Sequence, residues 1–100
     1  MNDLHTWLSE QHHGLRTCRT FQQKLETLGR DDPEQRGLCR LLSSLVGSYV
    51  EAFDEAPVPV AVADDAYHRL LTLLASIDPK GDASRRLADI NRVAESELWQ

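Results

Sequence analysis

The chain has 100 residues, of which 41% are hydrophobic and 27% charged, and its net charge is −5. That is enough for one domain with a core, too little for a catalytic domain beside a binding domain, and too apolar for general disorder. The longest uncharged stretch, Leu41 to Val50, is about half of a bilayer span, so no membrane helix is expected. The opening MNDLHTWLSE lacks the basic cluster and apolar segment of a signal peptide, and the expected location is cytoplasmic.

The first helix is expected over about residues 3–28, with Asn2 or Asp3 as its N-cap and Gly29 as its stop signal. Leu4, Trp7, Cys18, Phe21, Leu25 and Leu28 share the a and d positions of one heptad frame, which Gln11 and Gly14 interrupt. A stripe of that period predicts a gentle supercoil with a partner helix. Asp32, Pro33 and Gln35 then read as N-cap, first helical residue and capping-box partner of a second helix over about 33–55. A short connection makes the two helices an antiparallel hairpin.

Helix two carries the densest apolar run, Leu38 to Phe53, and its apolar positions cover about half the circumference. One neighbour cannot cover that arc, so this is the expected central helix. Its back carries Arg40, Ser43, Ser44, Gly47, Ser48, Glu51 and Asp54. Residues 56–63, Ala-Pro-Val-Pro-Val-Ala-Val-Ala, predict an extended, apolar Pro/Val linker reaching roughly 25 Å along the bundle. Asp64 is the expected cap of a third helix over about 65–77. Asp78-Pro79-Lys80-Gly81 reads as a type I turn, and Asp82 as the cap of a fourth helix over about 82–98. The fold class is therefore all-α, a small four-helix bundle forming a single domain over 1–100: a long N-terminal hairpin, an extended linker and two shorter helices.

Cys18 and Cys39 are too few for a disulfide framework and lack metal-site spacing. Two reduced thiols, mostly buried, are expected. The glycines at 14, 29, 37, 47 and 81 form neither a phosphate-cradling loop nor a dinucleotide fingerprint. His5 and His12, seven residues apart on one flank of a continuous helix, stand about 10.5 Å apart along its axis, too far to share an ion without help. Asp64 and His68, four apart, would make a general-base pair only if they converged in a pocket. No catalytic, cofactor or metal site is expected.

Nucleic-acid readout would fall to helix four, through Arg85, Arg86 and Arg92, but Asp89, Glu95 and Glu97 dilute that surface. Between Arg40 and Arg69 there is no Lys or Arg, whereas Glu51, Asp54, Glu55, Asp64 and Asp65 are acidic. Such a surface repels phosphate backbones, so neither nucleic acid nor membrane is an expected partner.

What remains is a small, non-enzymatic regulator acting by protein–protein contact, in the manner of an anti-activator that sequesters or inhibits a transcription regulator or an enzyme. Tyr49, Glu51, Phe53, Asp54, Glu55, Val58 and Val60 are the candidate partner-binding residues, apolar anchors among carboxylates that would steer a basic partner. The heptad seam of helix one and the broad face of helix two point to a homodimer. Two alternatives stay open: an acidic inhibitor that stands in for DNA on a nucleic-acid-binding machine, and a metal-dependent enzyme or sensor using His5, His12 or His68.

Overall fold

The computed structural model describes residues 2–99, and among them it is all-helical, with five helices rather than four: α1 Asn2–Ser9, α2 Leu15–Asp31, α3 Arg36–Ala52, α4 Val60–Ala75 and α5 Ala83–Glu95. The helix expected over 3–28 is broken at residues 10–14. The last turn of α1 satisfies its own carbonyls: the Ser9 hydroxyl donates to the Thr6 carbonyl at 2.7 Å and Gln11 Nε2 to that of Trp7 at 3.2 Å. Gly14, extended at φ −95° and ψ 172°, then restarts the chain as the N-cap of α2. Interruption of the heptad frame at Gln11 and Gly14 is therefore a true end of a helix. His5 and His12 no longer share a flank.

α2 and α3 form the antiparallel hairpin that the short connection requires. Near the turn they approach closely, since a Cβ on Gly29 would stand 3.2 Å from that of Cys39. Further along, the Gln22 amide donates to the Ser43 carbonyl at 3.1 Å. The capping box is absent. Asp32 Oδ1 accepts from the Glu34 amide at 3.0 Å inside a turn, and α3 starts only at Arg36. The side chain of Gln35, a residue 7% exposed, does not reach back to the Asp32 amide; its Nε2 donates to the Pro79 carbonyl at 3.1 Å, tying this turn to the one between α4 and α5.

α3 ends at Ala52, three residues before the expected 55, and residues 53–59 form a short loop. The expected eight-residue extended linker is wrong in its second half. Pro59, at φ −57° and ψ 141°, is the N-cap of α4, and its carbonyl accepts the first helical bond, from the Ala63 amide at 2.9 Å. A proline lacks only an amide that an N-cap does not use, so the helix can begin directly after it. Asp64 consequently lies inside α4 and caps nothing.

The Asp78 to Gly81 turn closes as expected, with the Gly81 amide donating to the Asp78 carbonyl at 3.1 Å. Asp82 caps α5 through the Arg85 amide at 2.9 Å. α5 stops at Glu95, short of 98, yet the chain beyond it still enters the core through Leu98, 1% exposed.

Phe21, Leu25, Leu42 and Val46 are fully buried between α2 and α3, each worth about 1.5–3 kcal/mol relative to exposure. Ala66, Leu70, Leu73 and Leu74 of α4 close one side of this core, and Leu4 and Leu8 of α1 lie over it. α5 packs on α3, while α1 packs on α4 and α2. Phe21 and Leu25, the centre of the heptad seam, are thus consumed inside the molecule. The described helices fill a compact globule with a Cα radius of gyration of 13.0 Å. None of the described helices is long and apolar enough to cross a membrane.

Candidate functional site

The exit of α3 meets the start of α2 in an open groove of about 530 Å³. Leu15 from α2, Phe53 and Val58 from the α3–α4 loop, and Ala63 from α4 line it, all partly buried. Phe53 is held from behind by aromatic rings: Tyr49 at 5.4 Å and Trp99 at 6.4 Å between centroids. On the rim, Arg19 donates to Asp54 Oδ1 at 2.7 Å, and both side chains are more than half exposed. Glu55 lines the groove as well and is exposed.

Four of the seven sequence-selected residues, Phe53, Asp54, Glu55 and Val58, line this groove, whereas Glu51 and Val60 are accessible outside its lining. Glu51, Asp54 and Glu55 are exposed, Phe53 and Val58 half-buried, and Val60 is 77% exposed at the first position of α4. Tyr49 is different. At 1% exposure it belongs to the core, where burial, with Cys18 nearby, raises the pKa of its phenol.

Beside the groove lies a cluster that sequence spacing did not indicate. His13 donates through Nδ1 to Asp64 Oδ1 at 2.5 Å, and its ring stacks on Tyr67 at 3.8 Å between centroids. Tyr67 in turn donates its hydroxyl to the Leu8 carbonyl at 2.6 Å, fixing the end of α1 to α4. His68 does not meet the Asp64 carboxylate; its Nδ1 donates to the Asp64 carbonyl at 2.7 Å. A carbonyl oxygen only accepts, so the His68 ring bears its proton on Nδ1. The Asp64 carboxylate instead pairs with His13, 51 positions away in sequence. No periodicity links residues so far apart.

A histidine held by a carboxylate has the arrangement of a base and its orienting group. The nearest candidate nucleophile, Cys18, lines the same small cavity as His13 and Tyr67. Burial outweighs the neighbouring Arg19 and pushes its thiol up to about 11, so it is protonated at neutral pH. Cys39 is likewise pushed up to about 11, by burial and by Asp32. Both cysteines are free. Among the described residues no three His, Cys, Asp or Glu side chains are placed to hold a metal ion. Comparison of the chain with models of protein families, with curated proteins and with solved structures gives no match.

Proposed function

We propose that this chain is a small, non-catalytic regulator that works by holding another protein in the groove at the exit of α3. One observation carries the reading. An apolar floor of Leu15, Phe53 and Val58 stays partly open to solvent, bordered by the exposed carboxylates of Asp54 and Glu55, with Glu51 and the exposed Val60 close by. A complementary partner presents an apolar anchor flanked by Lys or Arg. The anchor leaves water on the floor, and the basic groups compete with Arg19 for Asp54. Rim charges act mainly on the rate of encounter, whereas the buried anchor sets the lifetime of the complex.

The test is capture of proteins from the native host, identified by mass spectrometry and repeated with Val60→Asp and Glu55→Lys. Both positions are exposed, so circular dichroism of the variants should match that of the parent chain. A specific protein retained by the parent and lost from both variants is the expected result. Equal retention by the variants places the contact elsewhere. Binding to the positively charged groove of a nucleic-acid enzyme, with affinity falling steeply as salt rises, would favour an inhibitor that stands in for DNA.

A further inference from the structure

The face of α3 turned away from the core carries Arg40, Ser44, Ser48 and Glu51, all exposed. Steps of four, four and three residues keep them in one line along the helix. Among the described residues neither Arg40 nor Glu51 has an ion-pair partner. Arg40 opens onto a cleft of about 680 Å³ that Arg30 and Arg36 also line, with Glu26 as its carboxylate. Arg36 is fixed there, donating through Nε to the Gly29 carbonyl at 2.9 Å. The face is thus basic at the start of α3 and acidic at its end.

Such an order is complementary to itself only when reversed. Arg40 and Glu51 lie equally far, about 8 Å along the axis, from a point midway between Leu45 and Val46. We propose that a second copy of this chain docks antiparallel on this face, across a twofold axis at that point, so that Arg40 of each protomer meets Glu51 of the other. An isologous contact requires a surface that is its own complement, and this charge order meets the requirement. Between the charges, Ser44 and Ser48 let two helix axes approach to about 8 Å, the short end of the usual range. Leu41 and Leu45, half-buried along one edge of the face, supply apolar surface for the contact.

This contact goes beyond the partner-binding reading and does not rest on it. None of Arg40, Ser44, Ser48 and Glu51 lines the groove, so the groove and the dimer face are built from different residues.

Sedimentation velocity of the full chain decides the matter, run over about three decades of concentration because association follows mass action. The parent chain should approach twice its 11.3 kDa mass at the upper end. Arg40→Glu and Glu51→Arg each set like charges across the axis twice, and each should weaken dimerisation at least about tenfold. The double reversal restores opposite charges and should recover affinity to within about threefold of the parent. Circular dichroism checks that these exposed substitutions leave the helices unchanged. A parent chain monomeric throughout, single reversals without effect, or a double variant no better than the singles would each overturn the proposal. Host-protein capture at the groove is read from Val60 and Glu55 variants, so the two proposals fail separately.

Discussion

Asp89 is 1% exposed in the middle of α5, where a lone carboxylate would be costly. Burial by itself raises its pKa. The Asp78 amide at 3.0 Å, Arg85 Nε at 3.0 Å and an Arg92 guanidinium nitrogen at 2.9 Å outweigh that effect and hold the carboxyl below its ordinary 3.8. The folded-state pKa is thus lower than the unfolded one. Its stabilisation is fully present above the unfolded value and is lost as pH falls through the folded value, below 3.8. Asp89→Asn should cost about 2–3 kcal/mol at neutral pH and lower the melting midpoint by about 10 °C or more. It should also flatten the acid limb of stability, measured by thermal melts from neutral pH down to pH 3. In sequence Asp89 reads as a diluting charge on a solvated surface. Its role was illegible because two of its three donors are arginines that look equally solvated. Tyr49 gives the opposite case, for its buried hydroxyl has no hydrogen-bond partner among the described residues. Tyr49→Phe removes a desolvated group without orphaning another, so chemical denaturation should show unchanged stability or a gain of up to about 1 kcal/mol.

At the scale of elements, apolar periodicity marked the helical stretches but merged α1 with α2 and misplaced several ends. Leu4 and Trp7 fit the same heptad frame as Cys18 and Phe21, so periodicity alone implied one helix. What ends α1 is local side-chain bonding together with a distant residue, the Tyr67 hydroxyl on the Leu8 carbonyl. Tyr67→Phe should therefore cost about 1 kcal/mol, with the loss concentrated in α1. Hydrogen exchange should show faster amide exchange at residues 4–8 than in the α2–α3 hairpin, where a uniform change would argue against this local role. Pro59 misled differently, because the same fixed φ that suits an extended linker also suits the residue just before a helix. The acidic exit of α3 could be read from composition, since Glu51, Asp54 and Glu55 follow directly on an apolar run. Arg19 and Leu15, which complete the groove with His13, come from α2, and His13 from the helix break before it. Only tertiary packing brings them there.

At the scale of the whole molecule, two tryptophans fasten α1 and the segment after α5 to the α2–α3 hairpin. Trp7 stacks on Phe21 at 6.5 Å between centroids, with Lys24 Nζ 4.9 Å from the centre of its ring, and so fastens α1 to α2. Trp99 stands 5.9 Å from Tyr49 and 6.4 Å from Phe53, fastening the C-terminal segment to α3. Between these ends lies one set of buried side chains, from Leu4 and Leu8 through Phe21, Leu42 and Val46 to Leu98. Sharing that core should make α1 and the C-terminal segment unfold together, although each is tied to the hairpin by few contacts. Trp7→Phe and Trp99→Phe leave one reporter at each end. Urea titrations followed by the fluorescence of each variant should trace a single transition that coincides with loss of helicity, with a slope of about 1–2 kcal/mol/M. A Trp7 transition at lower urea than the helicity change would instead make α1 a separately opening unit. Its carbonyl anchor at Tyr67 and its ring stack on Phe21 would then be too weak to bind it to the common core.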